Sequence, residues 1–101
     1  MTTDGLHKTV IKSFKSRQLR KLFERGDGRS LPPQHVEKIE YILRVLQRAR
    51  EVSDMDLPGF ALHRIGGNYS GFWSVSVQGP WRVIFKFEGK HVVEVDYLDY
   101  H

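Results

Sequence analysis

A chain of 101 residues, 40% hydrophobic and 28% charged, has the size and composition of one globular domain that buries roughly 65% of its unfolded surface in a single small core. It has no cysteine, which excludes disulfides and thiolate metal sites, and no apolar run near the ~20 residues that span a bilayer, so a soluble cytoplasmic protein with no membrane partner is expected. The net charge of +4 is unevenly spread: residues 1–50 carry twelve Lys and Arg against five Asp and Glu, and residues 51–101 four against seven, which makes the first half the expected polyanion-facing half.

In chain order, residues 1–10 (MTTDGLHKTV) read as a poorly ordered leader without the apolar stretch of a signal peptide, and residues 11–101 as a single domain. VIKSF offers a short edge strand. Leu19, Leu22 and Phe23 then stand at helical spacing, with Ser16 as N-cap and Gly26 at the position where a helix ends in a left-handed residue. GDGRSLPP is a turn, and its two prolines suit the first turn of a second helix, where the N–H groups have no intrahelical partner. Val36, Ile39, Leu43, Leu46 and Ala49 form the apolar stripe of that helix, opposite Lys38, Arg44 and Arg48.

After DMDLPG the period changes to two. FALHRI, GFWSVSV, WRVIFKF and HVVEVDY are strand-length and are separated by the glycine-bearing GGNYS, QGP and EGK, which predicts an antiparallel meander. Trp81, Val83, Phe85 and Phe87 alternate onto one face, leaving Arg82, Ile84 and Lys86 on the other. The expected fold is α+β: two N-terminal helices packed on one face of a twisted, mainly antiparallel sheet whose other face is polar.

Several residues have the chemistry of a site. Arg82 lies within an apolar strand and must reach solvent, a bound anion or a carboxylate, for which Asp96 and Glu94 are the structural candidates. His63 is ambiguous in the same way. Tyr69, Phe72 and Trp73 suit base stacking or the core equally. If the last strand stays extended, Asp99 and His101 project to one side and Tyr100 to the other; a carboxylate beside an imidazole suits acid–base work, although chain termini commonly fray. The histidines at 7, 35, 63, 91 and 101 show no metal-ligand spacing, and GGNYSG lacks the lysine of a phosphate-binding loop, so neither metal nor cofactor is expected.

Taken together, IKSF at 11–14, LF at 22–23, DLPG at 56–59, LH at 62–63, FWSVSV at 72–77, WRVIFKF at 81–87 and DYH at 99–101 resemble a HigB-type toxin, from the plasmid-maintenance branch of the RelE/ParE superfamily. The resemblance implies the RelE/ParE-like microbial RNase fold and a metal-independent endoribonuclease that cuts translated messenger RNA on the ribosome. It also implies a HigA-like antitoxin with a helix-turn-helix fold, through which alone the toxin would meet operator DNA. By the same resemblance His101 is catalytic with Asp99 and Tyr100 beside it, Arg82 contacts the scissile phosphate, and His63, Arg64, Asn68, Tyr69 and Trp73 border the RNA. One departure stands out: relatives commonly carry a lysine in the loop after L-H, where this chain reads Gly66, Gly67, Asn68, Tyr69, leaving Arg64 as the replacement charge. Two rival readings share the basic composition. A ParE-like gyrase poison has the same fold without an acid–base pair, and a non-catalytic RNA- or protein-binding module needs only the charge; D-Y-H together with W-R favours the nuclease.

Overall fold

The computed structural model describes residues 10–100. Helix α1 (Arg17–Arg25) and helix α2 (Pro33–Arg48) precede strands β1 (His63–Arg64), β2 (Trp73–Gln78), β3 (Trp81–Glu88) and β4 (His91–Asp99). The strands form one antiparallel sheet in the order β1-β2-β3-β4. Both expected boundaries of α1 are present. The Ser16 hydroxyl accepts the Leu19 N–H, and Gly26, at φ +68°, turns the chain while its N–H donates to Leu22. That conformation costs glycine little and other residues more.

The helices lie on one face of the sheet, α1 toward β4 and α2 toward β2. Leu19 and Leu22 from α1, and Ile39, Ile42, Leu43 and Leu46 from α2, meet Val75, Val83, Phe85, Val92 and Val95 in the main core. Each such side chain contributes about 1.5–3 kcal/mol on burial. Val92 and Val95 are three apart, yet both face the helices. A bulge between the Ile84 and Lys86 pairings sets Phe85 against two residues of β4, and Glu94, the extra one, takes φ +54°. An added residue in one strand shifts the alternation beyond it by one.

Three expectations need correction. FALHRI is a regular strand only at His63 and Arg64, because Phe60 turns into the core and Ala61 takes φ +48°, which interrupts the extended backbone even though the Phe60 carbonyl still accepts the Ser76 N–H. VIKSF forms no regular strand; Ile11 and Phe14 make isolated parallel bridges to Val92 and Val95. Val10, its first residue, accepts the Val92 N–H on its carbonyl and donates its own N–H to Gln47 Oε1. Finally, the face away from the helices is not simply polar: Ile65, Phe72 and Ile84 are buried there, with Tyr69, Leu98 and Tyr100 packed against them.

Candidate active site

Residues paired across neighbouring strands share a face, and faces alternate along each strand. The register therefore sorts the candidate residues. His63 pairs with Ser74 and Ser74 with Ile84; Ser76 pairs with Arg82 and Arg82 with Leu98. These residues form two adjacent rows on the face away from the helices. Tyr100 joins them, its backbone N–H held by the Pro80 carbonyl and its ring 6.1 Å from that of Tyr69. Arg64 pairs with Trp73 instead, and its guanidinium lies 5.4 Å from the indole centroid. Both belong to the helix-side face, as does Asp99, which pairs with Trp81. Asn68 sits exposed in the turn Gly67–Tyr69. His101 lies outside the described residues.

Arg82 dominates the electrostatics of the open face. Its Nε and Nη1 are buried and find no hydrogen-bond acceptor among the described residues, and the Ser74 hydroxyl on the same face is likewise buried and unpartnered. The two carboxylates expected to neutralise the arginine are engaged elsewhere: Asp96 accepts the Tyr97 N–H at 2.9 Å, and Glu94 pairs with Lys86 at 3.7 Å. A buried, unsatisfied donor costs about 1–3 kcal/mol, more when charged, so Arg82 is held at a cost to the free protein.

His63 is exposed and its Nδ1 is 3.0 Å from the Ala61 carbonyl. A carbonyl only accepts, so Nδ1 carries a proton and donates it there. Behind the sheet, His35 approaches the Tyr97 hydroxyl with Nδ1 at 2.6 Å, and Tyr97 stacks on Trp81 with centroids 4.8 Å apart. Burial pushes the Tyr97 phenol above its ordinary pKa. His35 is itself buried, a structural role that its spacing four residues before Ile39 on the helix stripe signals.

Among the described residues no group of three or more His, Cys, Asp or Glu is placed to hold a metal ion, and no helix is long and apolar enough to cross a membrane. A shallow, solvent-open hollow lies between the helices, lined by Leu22, Phe23, Glu40, Leu43 and Arg44, residues with no part in the arginine site.

Residues 12–101 match the family model described as the RelE-like toxin of the type II toxin-antitoxin system HigB. The chain belongs to the HigB-like toxin family. It is 35% identical over 92 residues to an endoribonuclease HigB from Proteus vulgaris, an alignment spanning 91% of this chain and all of that protein. In fold it is similar to the YoeB-YefM complex from Staphylococcus aureus, with TM-score 0.60 and 15% identity over 93% of this chain and 98% of that one. The YoeB dimer from the same organism matches with TM-score 0.57 over 92% and 97% of the two chains, also at 15% identity. Membership of a toxin-antitoxin family gives the chain an antitoxin as its partner.

Proposed function

We propose that this toxin is an endoribonuclease acting in the cytoplasm on messenger RNA held in the ribosome, with Arg82 as the partner of the scissile phosphate. The observation that carries the reading is the buried Arg82 guanidinium, whose Nε and Nη1 have no acceptor among the described residues, Asp96 and Glu94 included.

Such a site suits cleavage by the RNA's own 2′-hydroxyl. The 2′-oxygen bonds to phosphorus as the bond from phosphorus to the 5′-oxygen breaks, giving a cyclic phosphate and a free 5′-hydroxyl. A base takes the 2′ proton, an acid supplies one to the 5′-oxygen, and Arg82 bears the charge that gathers on the phosphoryl oxygens. No metal or cofactor enters this scheme. His101, oriented by Asp99, and Tyr100, which shares the face of Arg82, supply the acid–base pair. His63, Asn68 and Tyr69 border the RNA beside it; Arg64 and Trp73, on the helix-side face, serve by supporting β1. In-line alignment is worth several kcal/mol, and the open sheet face leaves that alignment to the ribosome. The antitoxin is read as HigA-like with a helix-turn-helix fold, through which operator DNA is bound.

Induction of the wild-type chain, followed by mapping of transcript 5′ ends, tests the proposal. In-frame cuts that vanish when translation is blocked are expected. They should be reduced by about 10²- to 10⁴-fold in Arg82→Ala and in His101→Ala. Supercoiling defects with intact messengers would overturn the proposal in favour of a gyrase poison.

A further inference from the structure

We infer that Lys86 and Lys15 form a second phosphate-binding position on the open face of the sheet, which engages the RNA backbone beyond the scissile phosphate. The inference rests on the reading of Arg82 as the partner of the scissile phosphate. It starts from the register. Arg82, Ile84 and Lys86 alternate onto the open face of β3, and a strand rises ~3.3 Å per residue, so Arg82 and Lys86 leave the backbone roughly 13 Å apart on one line. An extended RNA strand following that line presents a second phosphate within reach of the lysine.

Lys86 is not alone there. Its Nζ lies 4.9 Å from the centroid of Phe72, and the Nζ of Lys15 lies 5.9 Å from the same ring. Lys15 arrives from the other end of the chain: its backbone N–H donates to the Val95 carbonyl at 2.8 Å, immediately before the α1 cap at Ser16. Phe72 is buried and fixed in the apolar cluster with Ile65 and Ile84. A ring held in this way orients both lysine stems through its face while leaving the ammonium groups access to water. Glu94 is the one carboxylate in an ion pair with either lysine among the described residues, at 3.7 Å from Lys86. Asp96, opposite Ile84, shares this face; Arg82, Lys86 and Lys15 against Glu94 and Asp96 still leave a net positive charge along it. Arg64 lies over Trp73 on the helix-side face and does not contribute to this line of charge.

The competing role is structural: the two lysines would only cover Phe72. Substitution to methionine separates the roles, because the unbranched apolar stem keeps its packing on the ring and only the charge is lost. The experiment measures binding of the full chain to fluorescent 2′-fluoro oligoribonucleotides, which lack the attacking hydroxyl. One probe is a dinucleotide with a single internucleotide phosphate and the other a hexanucleotide; both are titrated over a range of salt. Lys86→Met and Lys15→Met should each weaken hexanucleotide binding by about fivefold at low salt, and each should lower the salt slope by roughly 0.7. The dinucleotide should bind all the lysine variants alike, and their melting temperatures should match the wild type. Arg82→Ala should weaken both probes. An unchanged hexanucleotide affinity in the double lysine variant, with Arg82→Ala still weakening both probes, overturns the second position and leaves the nuclease reading intact. If Arg82→Ala changes neither probe, the reading of Arg82 falls, and this inference with it.

Discussion

Arg82 and Asp99 leave neighbouring strands on opposite faces of the sheet, since Arg82 pairs with Leu98 and Asp99 with Trp81. Tyr100 returns to the face of Arg82, against Tyr69. A phosphate bound at Arg82 is therefore nearer in direction to the Tyr100 ring than to the Asp99 carboxylate. Asp99 is expected to act by orienting its neighbours, and Asp99→Asn should lower cleavage by about 10- to 100-fold, the usual cost of losing an orienting partner. Tyr100→Phe removes a hydroxyl on the reacting side and should cost at least as much, by about 10²-fold. Single-turnover cleavage of ribosome-bound messenger measures both. A larger loss in Asp99→Asn than in Tyr100→Phe would make the carboxylate a direct proton acceptor.

Arg82 also predicts a conflict between stability and activity. Its buried Nε and Nη1 lack acceptors among the described residues, a cost borne by the free protein. Arg82→Met keeps an unbranched apolar stem and removes the unsatisfied donors, so the variant should be inactive yet more stable by about 1–3 kcal/mol. Urea unfolding of the two proteins gives the comparison. A destabilised Arg82→Met would identify the arginine as a structural residue.

Much of this was legible from residue pattern. Ser16 and Gly26 mark α1 because a cap acceptor and a left-handed residue leave chemical signatures, and the four strand-length segments specify the meander. The α2 stripe was readable but incomplete: Ile42 and His35 belong to it, yet a histidine does not register as apolar until Tyr97 is seen opposite it at 2.6 Å. The bulge at Glu94 was not legible, since nothing in HVVEVDY shows where an extra residue enters, and it decides that Val95 is core and Asp96 is not. The site divides in the same way. Arg82 stood out by its chemistry, whereas the separation of Arg64 from it depends on which residue of β1 meets Trp73, a matter of register between distant segments.

Tyr97 provides a pH-dependent test of the wall behind the site. Burial raises its pKa above the ordinary value near 10. Below pH ~10 both folded and unfolded states hold the phenolic proton and the full stabilisation is present; as pH rises further, the unfolded chain ionises first and stability is lost through the folded-state pKa. Tyr97→Phe should be less stable than wild type by about 1 kcal/mol near neutral pH, through loss of the contact with His35. The gap should narrow above pH ~10, because phenylalanine has no proton to lose. Thermal melts across the alkaline range measure it, and a gap that stays constant would show that Tyr97 ionises alike in both states.

Gly66 is where the resemblance to HigB-type toxins implies a loop lysine, and the backbone there accepts a side chain. Its φ is −119°, and no heavy atom lies within 4 Å of where a Cβ would stand. Gly66→Lys should leave the fold intact, with a gain of roughly 0.5 kcal/mol from a less flexible unfolded chain. The new ammonium leaves the loop one residue before the turn that carries Tyr69, which packs against Tyr100. Cleavage should rise by about fivefold at low salt and the gain should fade as salt is added, as expected for a solvent-exposed charge acting on a phosphate. If Lys86 already performs this task, the gain should be largest in a Lys86→Met background, where the added lysine restores what was removed. A folded Gly66→Lys that cuts at the parental rate in both backgrounds would show that the RNA does not pass the loop.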